Sequence, residues 1–262
     1  MEWQDQGLVL STRRHGERDA ILEVMTAEHG RHLGLVRGGR SSRQTPTLQP
    51  GNRVQLTWRA RLEDHLGQFV AELLESRAGT VLSDPMALHS VTHLGVLLRM
   101  LPERAPHRHV YEAADGICTF LADPAILGPV LIRFEVLILT ELGFGLDLSC
   151  CAATGASQDL VYVSPKSARA VSRGAGAPWA DKLLPLPGFL LDGAAVVPAG
   201  AAEIADGFRL AGFFLERHLF DPRGVMHQAS RAQMIGTLLS RLAKAQGNAG
   251  TAENNDVAAT NS

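Results

Sequence analysis

The sequence predicts an α+β fold in which strands come first and helices follow. Five short runs rich in Val, Leu and Ile occupy the first eighty of the 262 residues, and a helical period replaces them after Thr80. A segment at about 144–200 is rich in Gly, Pro and Ala and interrupts the helices as an irregular insert. With 45% hydrophobic and 20% charged residues, the composition is that of an ordinary globular protein.

The five predicted strands are separated by polar turns. They are the runs GLVLSTR, AILEVMT, RHLGLVR, NRVQLTWRA and GQFVAELLES. In the fourth run Val54, Leu56 and Trp58 alternate with polar residues, which places Trp58 in the core and arginines on the opposite face. Five short strands in about eighty residues suit an OB-type barrel over 1–80. A five-stranded SH3-like barrel or a small sandwich would give the same pattern.

Helices are predicted to fill a second domain, 81–245. The first begins with Ser83 as its N-cap and stops at Pro102. Two more lead to a C-cap at Gly143, so three helices with short links form a small bundle beside the barrel. Two further helices, about 201–220 and 226–245, follow the insert. The tail, 246–262, is made of small and polar residues and is predicted to be disordered.

A basic window lies within this nearly neutral chain. The net charge is -2, yet Arg31–Leu62 contains seven arginines and no Asp or Glu. Its loop, between Val36 and Val54, combines arginines with glycines and serines, which suits a backbone that lies close to phosphates. A solvated loop in an arginine-biased chain is the alternative. The candidate DNA-binding residues are Arg37, Arg40 and Arg43 of the loop, Arg53, Arg59 and Arg61 of the next strand, and, as weaker candidates, Arg13 and Arg14.

Metal and catalytic patterns are missing from the sequence. The pair His89 and His93 lacks the glutamate of the HExxH motif, and the adjacent Cys150 and Cys151 are not followed by a CxxC. No nucleophile elbow, phosphate-binding glycine loop or acidic cluster is present. The sequence therefore predicts no metal, no cofactor and no enzymatic activity. Few cysteines, no signal peptide and no membrane span indicate a cytoplasmic protein.

Several segments together resemble the RecO family of DNA repair proteins. In the first domain they are Arg13–Asp19, Thr26–Gly30 and Val36–Arg40, followed by LQPGNRVQLTWRAR. Further on, ELGFGLDLSCCAATGASQDLVYVSPKSARAV resembles the join between the family's bundle and its zinc-binding insert, and GVMHQASRAQM resembles the approach to its final helix. The resemblance covers about residues 3–244.

The resemblance implies an N-terminal OB fold that binds single- and double-stranded DNA without catalytic turnover. It further implies annealing of complementary strands and, with RecR, help for RecA in displacing single-stranded-DNA-binding protein, whose acidic C-terminal tail would bind the helical region. Many members hold zinc with four cysteines in a zinc-finger-like insert, whereas this chain has only Cys150 and Cys151 there. A protein-interaction scaffold that does not bind DNA and a nucleic-acid-modifying enzyme are the alternatives.

Overall fold

The strands of the first eighty residues form a closed barrel. The structure, a computed structural model, describes residues 1–62, 64–191, 198–224 and 229–259, and the side chains as far as residue 245. The barrel strands are β1 (Glu2–His15), β2 (Asp19–Thr26), β3 (Gly30–Val36), β4 (Arg53–Arg59) and β5 (Gln68–Glu75). Each overlaps one of the five predicted runs: β1 extends its run at both ends, and the other four strands agree with theirs to within one residue at each end.

The strand order decides between the folds that the strand count left open. Around the barrel the order is β1-β2-β3-β5-β4, and β4 pairs antiparallel with β1 to close it. Strands β3 and β5 pair in parallel at one register, Leu35 with Gln68. This is the five-stranded Greek-key arrangement of an OB barrel. The predicted OB fold is therefore confirmed.

Alternating side chains of the strands fill the barrel. Val54, Leu56 and Trp58 of β4 are all buried, and Trp58 is 1% exposed with its indole N–H donating to the carbonyl of Leu66 at 3.1 Å. The prediction that Trp58 is a core residue is thus confirmed. Gly34 of β3 is needed beside this core, because a Cβ there would lie 2.4 Å from the ring of Phe69.

Three helices belong to the same compact unit as the barrel, which comprises Met1–Ala122 with Gln228–Arg231. They are α1 (Ala78–Ser83), α2 (Pro85–Leu98) and α3 (Arg108–Ile117). The predicted cap at Ser83 is wrong: Asp84 caps α2 by accepting from the amide of Met86 at 2.8 Å. Ser83 instead ends α1, where its hydroxyl donates to the carbonyl of Gly79.

Ion pairs that each have one buried partner join these helices to the barrel. Glu23 of β2 accepts from Arg99, which follows α2, with 2.6 Å between Nη2 and Oε2. Burial alone would raise the pKa of Glu23, but hydrogen bonds from Arg99 and Ser11 and the nearby charge of Arg31 hold it below its ordinary value. In a second pair, Asp115 of α3 accepts from Arg77.

The second unit contains the remaining helices and a small sheet. Its helices are α4 (Pro124–Glu141), the short α5 (Arg173–Gly176), and α6 (Ala201–Leu215), which continues into a π-turn at Glu216–Phe220. It also contains α7 (Ala229–Ala259) from Ala232 onward. Within the insert, β6 (Leu160–Val163) lies between β7 (Ala170–Ser172) and β8 (Leu184–Pro185).

Small residues bring α4 and α6 close together. A Cβ on Gly128 of α4 would lie 2.7 Å from Ile204 of α6, and one on Gly207 of α6 would lie 2.7 Å from Ile132 of α4. These contacts place α4 in the second unit, whereas the sequence predicts it in one bundle with α2 and α3.

The predicted domain boundaries at residues 80 and 245 stay predictions. The compact unit that contains the barrel extends to Ala122, because α1–α3 pack with the barrel. The backbone of α7 is helical as far as Ala259, into the tail from 246 that the sequence predicts to be disordered. Residues 192–197 of the insert, 225–228 and 260–262 lie outside the described residues.

Candidate nucleic-acid interface

The basic loop of residues 37–52 is a compact chain of turns. Amides of Gln44 and Thr45 donate to the carbonyl of Ser41, and Leu48 is buried. Asn52 closes the loop: its amide nitrogen donates to the carbonyl of Pro46, and its carbonyl oxygen accepts from the backbone at the start of α1. The arginines of this loop therefore extend from a fixed backbone.

Five of the eight predicted arginines are exposed and form no ion pair with any described residue. All five lie on the barrel unit, in strand β1, in the loop or just beyond β4: Arg13, Arg14, Arg37, Arg43 and Arg61. An arginine with a free guanidinium can accept a phosphate without first giving up a carboxylate. These side chains are the part of the predicted set that suits a polyanion best.

Arg40 also forms hydrogen bonds within the barrel unit. Its Nη1 donates to the carbonyl oxygen of Glu17 at 2.6 Å and lies 3.4 Å from that of Gly16, in the turn between β1 and β2. Directly after this turn, Asp19 at the start of β2 accepts from the amide of Gly38 at 2.8 Å. The motif residues that suggested the family resemblance thus fasten the β1–β2 turn to the loop.

Arg53 belongs to an ion-pair network. Its two terminal nitrogens lie 3.3 Å from Asp115 and 3.3 Å from Glu75. The same two carboxylates hold the buried Arg77, at 2.6 and 2.9 Å. A role of Arg53 in DNA binding stays a prediction, but its position favours a structural role.

Arg59 forms an exposed ion pair with Glu2. Its Nη2 donates to Glu2 at 2.8 Å, and this hydrogen bond holds the pKa of the Glu2 carboxyl below its ordinary value. Exposed pairs of this kind contribute little to stability and exchange readily for other partners. Arg59 is therefore available to a phosphate at small cost.

Acids from elsewhere in the chain thus neutralise part of the basic window. Glu2, Glu75 and Asp115 lie outside Arg31–Leu62 in sequence but beside it in space. A count along the sequence cannot detect such partners, and neither Asp115 nor Asn52 carried a signal that would have singled it out.

Hydrogen-bond donors surround the sulfur of Cys151 in the insert. The sulfur of Cys151 accepts from the amide of Ser172 at 3.2 Å and from its hydroxyl at 3.4 Å. The hydroxyl and amide of Ser172 and the hydroxyl of Thr154 lower the pKa of the Cys151 thiol to about 6. Cys150 instead lies 3.6 Å from Nη2 of Arg169.

These residues do not fit a zinc ion. A structural zinc site needs four lone-pair donors, whereas hydrogen-bond donors surround Cys151. Across the described parts of the chain, no three His, Cys, Asp or Glu side chains converge as a metal-binding group.

Comparison with known proteins is consistent with this geometry. A family profile described as "Recombination protein O N terminal" matches residues 1–77, and one described as "Recombination protein O C terminal" matches residues 83–227. The chain belongs to the RecO family. The family resemblance seen in the sequence is therefore confirmed.

Close relatives carry the name "DNA repair protein RecO". The chain is 55% identical over 238 residues to the one from Mesorhizobium japonicum, an alignment that covers 91% of this chain and 94% of the relative. It is 54% identical to that from Afipia carboxidovorans, covering 91% and 96%, and 51% identical to that from Agrobacterium fabrum, covering 92% and 95%. RecO membership assigns the chain to recombinational DNA repair. No helix in the described residues is long and apolar enough to cross a membrane.

Proposed function

We propose that this RecO-family chain is a recombination mediator that binds single- and double-stranded DNA through its barrel and acts without catalytic turnover. The observation that carries the proposal is the group of exposed arginines on an OB barrel, Arg13, Arg14, Arg37, Arg43 and Arg61, which form no ion pair with any described residue. Arg59 adds a sixth positive charge that is only loosely held.

The chemistry of these arginines favours phosphates over base edges. Arginines held by an ordered loop neutralise phosphodiesters, and such contacts position a strand without reading its sequence. Neutralised strands repel each other less, so two complementary strands can approach and pair. Annealing of complementary strands is the activity expected from such arginines.

Family membership supports the remaining parts of the proposal. The chain would act in the cytoplasm with RecR to help RecA replace single-stranded-DNA-binding protein. The helical region would bind the acidic C-terminal tail of that protein. A titration with the tail peptide at low salt, where charge attraction is strongest, should show binding, and no binding there would contradict this part.

A strand-annealing assay with and without RecR tests the proposal as a whole. We expect the full chain to accelerate pairing of complementary strands and to leave labelled DNA chemically unchanged. Cleaved or modified DNA would instead indicate an enzyme. Absence of salt-dependent DNA binding would indicate a protein-interaction scaffold.

A further inference from the structure

Two separate clefts flank the basic loop of the barrel unit. The first, here the hairpin cleft, lies between the β1–β2 hairpin and the loop and has a volume of about 360 Å³. The second, here the strand cleft, lies along β4 and β5 on the other side of the loop and has a volume of about 220 Å³. Their linings share no residue, and described carboxylates line neither of them.

The hairpin cleft is lined by hydrogen-bond donors and arginines. Arg14 and Arg40 border it, together with Thr12, Thr45 and Gln49. The hydroxyl of Thr12 donates to the carbonyl of Leu48 at 2.6 Å, which fixes the loop against β1. The cleft is therefore a formed, positively charged depression.

The strand cleft combines two arginines with an apolar edge. Arg37 and Arg59 line it, and Val70 of β5 lies beside them with 56% of its surface exposed. The cleft lies where the barrel closes weakly, because β3 and β5 pair there at one register only. Beside that pairing, the side chain of Gln44 donates to the carbonyl of Ala71 of β5 at 3.0 Å. Phosphates could contact the arginines while an unstacked base covers the valine.

The loop forms a ridge between the two clefts. Arg37 lines the strand cleft, and Arg40, only three residues later, lines the hairpin cleft. Gly38 makes this change of direction possible, with φ of +62°. Both volumes are at or below the lower end of the range of about 300–1,000 Å³ for small-molecule clefts, so each suits a unit of one flexible strand rather than a duplex.

We infer that one chain holds two single strands at once, one in each cleft, with the loop between them. The inference rests on the proposed DNA binding and adds a mechanism for annealing. Two strands seated on opposite sides of one ridge have their phosphates held by separate arginines and their bases free to meet across the loop. Annealing then requires both clefts, whereas binding of a single strand requires one.

Binding stoichiometry tests this inference on the full chain. Short, non-complementary homopyrimidine strands carrying either a donor or an acceptor dye are titrated at low salt. We expect two strands per chain and energy transfer between them. Arg14→Glu in the hairpin cleft and Arg37→Glu in the strand cleft should each leave one strand per chain, abolish the energy transfer and slow annealing.

A matched charge reversal in the second unit provides the control. Lys166→Glu changes an exposed cation of the insert and should keep two strands per chain. Arg14 and Arg37 are exposed and form no described ion pair, so both variants should fold, which circular dichroism verifies.

Each contrary result has a distinct meaning. One strand per wild-type chain, with salt-dependent binding intact, overturns the two-cleft inference and leaves the proposed DNA binding standing. If either single variant loses all binding, the two clefts form one continuous site. If both variants still bind two strands, the strands lie outside the two clefts. Both results overturn the inference. Absence of any strand binding by the wild type overturns the proposed function itself.

Discussion

Removing the carboxylate of Asp115 should destabilise the barrel unit strongly. Arg77 is 6% exposed and donates to Asp115 at 2.6 Å, while Arg53 lies 3.3 Å from the same carboxylate. Breaking a buried ion pair costs about 3–5 kcal/mol. After Asp115→Ala, Arg77 still donates twice to Glu75, at 3.1 and 2.9 Å. The expected loss in free energy of unfolding is therefore smaller, about 2–3 kcal/mol, near the upper range for one charged hydrogen bond.

Urea unfolding followed by tryptophan fluorescence measures this loss. A Trp179→Phe background leaves Trp3 and Trp58, which both lie in the barrel, as the fluorescent probes. With a urea dependence of about 2 kcal/mol per molar, Asp115→Ala should lower the unfolding midpoint by about 1 M or more.

Glu112→Ala is the matched control in the same helix. Glu112 is exposed and lies 3.6 Å from Arg108, one turn away, so its removal should cost about 0.5 kcal/mol or less. An Asp115→Ala midpoint no lower than that of Glu112→Ala would refute the view that the network anchors α3 to the barrel. That result would also mean that Arg53 is free to bind DNA.

Three further outcomes are expected. Gly30→Ala should be more destabilising than Gly38→Ala in thermal unfolding, by about 2 kcal/mol or more. Both glycines have positive φ, but only at Gly30 would a Cβ meet a carbonyl oxygen, that of Ala105 at 2.0 Å. Equal losses would refute the steric argument. In a Cys150→Ser background, Ser172→Ala should raise the pKa of Cys151 from about 6 toward its ordinary value, measured by ultraviolet absorbance of the thiolate. Because folding lowers this pKa, the stabilisation by the thiolate is full at alkaline pH and is lost as the pH falls through about 6. An unchanged titration of Cys151 in the variant would exclude Ser172 as the cause of its lowered pKa. Protein purified without chelator should contain no stoichiometric zinc, and one zinc per chain by metal analysis would contradict this.

The sequence was sufficient for the barrel because its signal is local. Alternation in β4 places Trp58 in the core, and the turn residues between runs mark the strand ends. Strand order was open, since the single parallel register of Leu35 with Gln68 depends on residues far apart in the chain. The cap of α2 was misplaced by one residue because Ser83 and Asp84 are both good capping residues.

The candidate site could be predicted only in part. Arginines were correctly located on the barrel, but their partners were not, because Asp115 lies 62 residues from Arg53 in sequence. The contact of Arg40 with the β1–β2 turn was hidden for the same reason. Charge patterns along a chain show where cations are concentrated, and only the fold shows which of them are already paired.

The salt dependence of single-strand binding tests the central claim most directly. Each phosphate contact to a single strand contributes about -0.7 to the slope of log K against log salt. Arg37→Ala with Arg43→Ala should therefore flatten the slope by about 1.4, equally for unrelated sequences. Arg40 is left unchanged because its substitution would also release the β1–β2 turn.

A second double variant removes the same charge elsewhere. Arg173 and Arg209 are exposed and already paired with carboxylates of their own unit, each at 3.1 Å. Their joint change to Ala should leave the slope as it is in the wild type. If the folded Arg37→Ala, Arg43→Ala protein keeps the wild-type slope, the basic loop does not bind DNA and the account is contradicted; a slope flattened by about 1.4 in that variant alone is the result it predicts.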